Sequence, residues 1–239
     1  MERYNERREA GQASPFHGAE ASSGVCQVLR MTVFSQILAA DAPEVQDALK
    51  IYTDSFPPNE RHSADVIRDR LARGRYILIV GRVQKEVVFF ALLWALEGSE
   101  FVLLDYMATK SGYRRRGIGS AFLKRIPQMP ELAHKFLVME VENPGSGENR
   151  EQRAKRVEFY RRQGAKELQG VRYFMPGLCG GAPTEMILMI LPQYDEGKID
   201  ATKVRQIVIQ IYRELYNRDA EDGLLNSFVN EIAGCIRLI

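Results

Sequence analysis

Residues 101–126 read FVLLDYMATKSGYRRRGIGSAFLKRI, and everything around them is interpreted from this stretch. It opens on an apolar run, FVLLDYMAT, of strand length and rich in β-forming residues. A basic turn follows, KSGYRRRGIG, with glycines at 112, 117 and 119. It closes on SAFLKRI, whose Ala121, Phe122 and Ile126 recur at helical spacing. Strand, glycine-rich turn and helix is the general form of a phosphate cradle. Glycine lets the backbone approach an anion, and the first helical turn points unpaired N–H groups at it. Arg114, Arg115 and Arg116 add positive charge at the same place. No Gly-Lys-Ser/Thr closes the loop, so it is not a Walker motif, and its spacing is not GxGxxG. The spacing is Arg114-x-x-Gly117-x-Gly119.

Outward from this stretch the chain has the bounds of one large domain, or of one domain with appendages. Its 239 residues are 45% hydrophobic, which suffices for a sizeable core. The net charge of +2 argues against a surface that coats nucleic acid. No apolar run approaches the roughly 20 residues that span a bilayer, and the charged start has no apolar h-region. Cys26, Cys179 and Cys235 are odd in number and far apart, so neither a disulfide framework nor a metal spacing is expected. A cytoplasmic setting, no metal, no membrane and no nucleic-acid partner are the expectations.

Residues 1–30 are polar and rich in Gly, Ser and charge, and are read as a disordered leader. Residues 32–38 form a first strand. Asp41 stands at a helix N-cap position with Pro43 and Glu44 behind it, and the helix stops before Pro57-Pro58. A second helix runs from Ser63 to about Arg73 and ends at Gly74. Residues 75–82 and 86–96 are strands, and with 101–109 they make an antiparallel meander. This order, strand, two helices, meander, is not a doubly wound repeat. After the cradle helix, 135–142 is a buried strand parallel to the central one, because a helix crosses between them. A Pro/Gly loop leads to a charged helix over 151–162, a strand over 166–174, a glycine-rich connection over 176–183 and a last strand over 184–191. Beyond this, Val204, Ile207, Ile211 and Leu215 form one helical stripe, and Leu224, Leu225, Phe228, Ile232 and Ile236 a second. They predict a two-helix appendage over 193–239 that either packs on the sheet's open side or mediates self-association as a homodimer.

The spacing Arg114-x-x-Gly117-x-Gly119 after a strand resembles the acyl-CoA pyrophosphate loop of the GNAT superfamily of N-acyltransferases. The run VEFYRRQGAKEL, residues 157–168, resembles the same family's helix-to-loop signature, most closely that of polyamine-type acetyltransferases. The resemblance covers about residues 33–191. It implies an α+β fold: a mixed, mostly antiparallel sheet of about six to seven strands flanked by helices, with the acetyltransferase domain at 31–192. It also implies acetyl-CoA as co-substrate and a primary amine, small or on a peptide or protein, as acceptor. The pyrophosphate would lie on Arg114, Arg115, Arg116 and the backbone of Gly117, Ile118, Gly119 and Ser120. The pantetheine arm would enter where two strands splay, bonding to the backbone of Met107, Ala108 and Thr109. Where the family commonly has an asparagine that also bonds this arm, the chain has Arg153; Asn143 or Asn149 are substitutes from the preceding loop.

Transfer from a thioester to an amine needs a neutral amine, a stabilised oxyanion and a proton for the leaving thiolate. By the same resemblance Tyr160 is the general acid; a phenol, with pKa about 10, is protonated at neutral pH. Asp105 is costly on an otherwise apolar strand unless paired or facing a cleft, and several family members carry an acid there that takes the amine proton. Glu140 and Glu142 are alternates, since both face one side of the next strand; a salt bridge to arginine is the competing reading for each. Phe56, Glu60 and Arg61 stand in the segment that lines the family's acceptor side, or else form a proline-fixed corner. Tyr173 and the 176–183 connection would close over the acceptor. A non-catalytic CoA-binding regulator acting through the C-terminal helices is the alternative to an enzyme.

Overall fold

The computed structural model describes residues 27–192 and 194–239. The expected leader lies outside the described residues as far as residue 26, and Cys26 with it; residues 27–31 are helical. The elements then run β1 (Thr32–Ile37), α1 (Pro43–Ser55), α2 (Ala64–Ala72), β2 (Tyr76–Val83), β3 (Glu86–Ala95), β4 (Phe101–Thr109), α3 (Ile118–Arg125), β5 (Phe136–Glu142), α4 (Arg150–Arg162), β6 (Lys166–Glu167), β7 (Tyr173–Met175), β8 (Thr184–Leu191), β9 (Lys198–Asp200), α5 (Ala201–Glu214), the turn α6 (Gly223–Asn226) and β10 (Cys235–Arg237).

The first eight strands form one sheet in the order β1-β2-β3-β4-β5-β8-β6, with β7 also on β8. Every neighbouring pair is antiparallel except β4 and β5, which run parallel with α3 crossing between them. The strand count exceeds the expected six to seven because residues 166–174 do not form one strand. Gly170 takes φ +76° and breaks them into β6 and β7. The first helix is capped by Ala42 and not by Asp41, and no side chain bonds its free N–H groups.

Eight of the ten residues of β3 are buried, so the sheet is covered on both faces. One face carries α1, α2 and the C-terminal segment, through residues such as Tyr52, Phe90, Leu103 and Ile211. The other carries α3 and α4, through Phe89, Phe122, Leu137 and Val157. The C-terminal segment is part of the first core. Val208, Ile211, Tyr212, Leu215 and Phe228 are fully buried there. Each such side chain contributes about 1.5–3 kcal/mol of apolar burial, so the segment is held on the sheet. Of the two expected helices only α5 forms. The stripe from Leu224 to Ile236 becomes a helical turn, a 3₁₀ turn and the strand β10, which pairs with β9.

The margins of the large sheet differ. β1 is an edge strand, with Val33 66% exposed. At the far end the last residues pair with the stretch around β6: Glu167 N donates to Ile239 O at 2.9 Å, and Ile239 N donates to Glu167 O at 3.1 Å. No helix among the described residues is long and apolar enough to cross a membrane.

Candidate active site

The strand, turn and helix form as the sequence requires. Gly117 takes φ +78° immediately before α3, a left-handed conformation that glycine adopts without the cost a Cβ brings. A Cβ here would also lie 3.3 Å from Leu29 Cδ1. No side chain caps α3, so the N–H groups of Ile118, Gly119 and Ser120 have no partner within the helix. The three arginines do different things. The Arg114 guanidinium donates to Thr109 O at 3.0 Å and to Ser55 Oγ at 3.2 Å, tying the loop to the end of β4 and to α1. Arg116 lies over the Tyr113 ring at 5.3 Å. Arg115 is exposed, with φ +60°. The Cα of Gly119 faces α4; a Cβ there would lie 3.4 Å from Phe159 Cζ.

Beside the cradle the sheet opens. The β4–β5 pairing runs from Phe101↔Phe136 to Leu104↔Met139 and stops, although both strands continue. The break coincides with a bulge. Across β3, Leu93 pairs with Leu104 and Leu92 with Tyr106, so Asp105 has no partner opposite it. The bulge puts Asp105 and Tyr106 on the face that carries α1, and turns Met107 toward α3 and α4. Met107, Ala108 and Thr109 stay paired to β3 on one side. Their other side faces the gap, where the Thr109 carbonyl is already taken by Arg114. On the α4 side of the gap, Phe159 and Tyr160 pack edge to face at 5.1 Å. Burial pushes the Tyr160 phenol up to about 12, with Arg156 pulling it back down. Among the described residues its hydroxyl makes no hydrogen bond.

On the opposite face lies a cleft of roughly 360 Å³ lined by Phe56, Glu60, Asp105, Tyr106, Glu140 and Tyr216, with residues of the glycine-rich connection above them. The two carboxylates are held by phenols. Tyr76 donates to Asp105, and Arg70 donates to Tyr76 Oη at 3.0 Å. Glu140 accepts from Tyr173, and from Tyr216 at 2.8 and 3.0 Å. Burial, with the Glu140 charge adding to it, raises Asp105 to about 7 against the opposing Tyr76 bond and Arg70. Burial raises Glu140 to about 6 against the pull of its two tyrosines.

A carboxyl raised on folding stabilises the native state fully below its unfolded pKa and loses that contribution as pH rises through its folded value. Native stability is therefore expected to fall as pH climbs toward 7 through Asp105. Asp105→Asn keeps the acceptor for Tyr76 and removes the charge. It should exceed the native chain in stability at about pH 8 by on the order of 2–3 kcal/mol and lose most of that advantage at about pH 5. Urea unfolding at the two pH values measures it, and a variant weaker by the same amount at both would sink the argument.

Of the residues singled out in the sequence, Phe56, Glu60, Asp105, Glu140 and Glu142 do meet around this cleft. Glu142 is already paired with Arg153 at 3.1 Å and with Arg156, the salt-bridge reading of that residue. Tyr173 is not a cover over the cleft. It is fully buried and reaches Glu140 from within the core. Arg61 does not line the cleft; it donates to Thr53 O at 3.1 Å and to Phe56 O, closing its own loop. The Asn143 side chain is engaged in its own loop, accepting from Gly145 N at 2.8 Å and donating to Glu185 at 3.0 Å. Tyr76, Tyr106 and Tyr216 went unread. Tyr216 reaches Glu140 across 76 positions of sequence, and no local pattern marks it. Among the described residues no group of His, Cys, Asp and Glu could hold a metal ion.

No protein-family model matches the chain, and no curated protein does. Solved structures do. An acetyltransferase of the GNAT family from Bacteroides thetaiotaomicron superposes with a TM-score of 0.66 at 22% identity, over 78% of this chain and 99% of that one. An aminoglycoside 6'-N-acetyltransferase complexed with coenzyme A matches with a TM-score of 0.52 at 16% identity, over 68% and 99%. An acetyltransferase structure from Acinetobacter baylyi matches at 0.50 and 12%, over 67% and 92%. With the parallel β4–β5 pair parting beside a glycine cradle, these superpositions establish that the chain has the GNAT fold.

Proposed function

We propose that the chain is an acetyl-CoA-dependent N-acetyltransferase that passes an acetyl group to a primary amine by direct attack, both substrates being held at once. The observation that carries this reading is the gap between β4 and β5. It joins an uncapped helix N-terminus with arginines on one face to a pair of half-buried carboxylates on the other. A diphosphate would rest on the amides of Ile118, Gly119 and Ser120 beside Arg115 and Arg116, and the free edge of β4 at Met107 and Ala108 would hold an amide-bearing arm. Acetyl-CoA, when bound, supplies an acyl group activated as a thioester.

The residues of the chain divide the remaining work. Glu140, raised to about 6 by burial, is ionised at neutral pH and close enough to neutrality to take a proton from an ammonium. Asp105 beside it shares the negative charge and favours a cationic acceptor. Phe56 and Tyr106, 5.0 Å apart, supply an apolar wall for the acceptor's carbon skeleton. Tyr160, protonated at any physiological pH, is the donor for the departing sulfur. No covalent intermediate on the chain is required when the two reactants are held together.

Calorimetric titration with acetyl-CoA and thiol release with a panel of amines test the reading. Binding in the micromolar range and amine-dependent release are expected. Tyr160→Phe should bind as well as the native chain but turn over about a hundredfold more slowly, the low end of the range for losing one general acid. A chain that binds and never turns over would be a regulator; one that does not bind would have neither role.

A further inference from the structure

The C-terminal segment does more than cover the sheet. The end of α5 is built to deliver one side chain. Arg218 N donates to Tyr212 O at 2.9 Å, and Asn217 takes φ +52°, so the helix stops sharply after Leu215. Leu215 is fully buried, and its carbonyl accepts from Arg70 at 2.7 Å. The same Arg70 carries Tyr76, the hydroxyl that holds Asp105. One guanidinium therefore ties the end of α5 to the other carboxylate of the pair. The Tyr216 ring is braced edge to face on Tyr212 at 5.8 Å, and Tyr212 is anchored through its hydroxyl to Phe174 O.

Glu140 has two phenol partners, and they differ in place. Tyr173 is fully buried beneath it. Tyr216 is half-buried and lines the cleft, with its hydroxyl 2.8 and 3.0 Å from the two carboxylate oxygens. Only Tyr216 stands on the side from which an amine would approach. A donor held against both oxygens fixes the plane of the carboxylate and favours its ionised form. It also leaves the outer lone pairs free to accept a proton.

We infer that Tyr216, contributed by the segment after the sheet, is a positioning residue for acyl transfer, holding Glu140 ionised and oriented toward the acceptor amine. The inference rests on the acetyltransferase reading given above. It assigns the C-terminal segment a place in the active site and makes the sheet domain incomplete without it.

The test is Tyr216→Phe in the full chain, with turnover followed by thiol release across a pH series and acetyl-CoA binding by calorimetry. The ring and its packing are kept and one hydroxyl is lost. Expected are at least a tenfold loss of kcat, an acid limb displaced to higher pH and an acetyl-CoA Kd within about twofold of native, a charge-assisted hydrogen bond having been removed from the base alone. A merely structural role would not move the acid limb. Should the phenylalanine variant fail to fold, a monofluorinated tyrosine at 216, a stronger donor of nearly the same size, should displace the limb to lower pH. Native turnover with an unmoved limb in the folded variant, or in the fluorinated chain, overturns the role of Tyr216 and leaves the acetyltransferase reading standing. A native chain that binds no acetyl-CoA overturns both.

Discussion

Glu140→Gln is expected to lower amine-dependent thiol release by about 10²–10⁴-fold, the range typical of losing a positioned general base. The change is nearly isosteric. The amide oxygen of the new side chain can still accept from Tyr173 and Tyr216, so the phenol cluster at this position stays satisfied. What is lost is the ability to take a proton. The native rate should rise with pH through an acid limb near 6, where burial places this carboxyl; in the variant that limb should vanish. Acetyl-CoA binding should hold within about twofold, since the cradle lies on the opposite face of the sheet. Asp105→Asn discriminates between the two acids. Asp105, at about 7, is still largely neutral where Glu140 titrates near 6, so Asp105→Asn should leave the limb of a Glu140-dependent rate in place. A Glu140→Gln chain retaining near-native turnover, with Asp105→Asn inactive, would transfer the role of base to Asp105.

The second large effect belongs to the cradle. Gly117→Val is expected to weaken acetyl-CoA binding by about a hundredfold or more. The argument is geometric. Gly117 lets the chain turn at φ +78° so that successive amides of the first turn of α3 converge on one point. A β-branched residue there is a strained outlier, and its side chain would press on Leu29, only 3.3 Å from the first added atom. Losing two charge-assisted hydrogen bonds to a diphosphate costs roughly 3–6 kcal/mol, or two to four decades in Kd. Stability should fall by only about 1–3 kcal/mol, the cost of one strained residue. Calorimetry on a chain shown to be folded by its unfolding transition separates the two. Unweakened binding would remove the cradle from the account, and the coenzyme with it.

The general plan was legible because its signals are local. The strand–turn–helix at residues 101–126 carries its own punctuation, and an acid inside an apolar strand at Asp105 announces a cleft or a partner. What was not legible depends on pairing between distant segments. The bulge at Asp105 exists only in the register of β4 against β3, and no feature of FVLLDYMAT marks it. The single strand expected over 166–174 failed because Gly170 adopts the left-handed conformation, which divides an otherwise plausible β run. The second C-terminal helix failed for a different reason. Its stripe is apolar because it is buried against Tyr173, Phe174 and Tyr212, as Phe228 is, and burial of that kind makes no demand that the backbone be helical. Tyr216 was invisible for the same cause: its partner is fixed by how α5 lands on the sheet.

The two margins of the large sheet have a consequence for assembly. Among the described residues, Glu167 to Gln169 beside β6 bond through their backbone to Arg237 to Ile239, whereas β1 pairs on one side only. Two copies that met edge to edge at β1 would merge their eight-stranded sheets into one, each β1 covering the other.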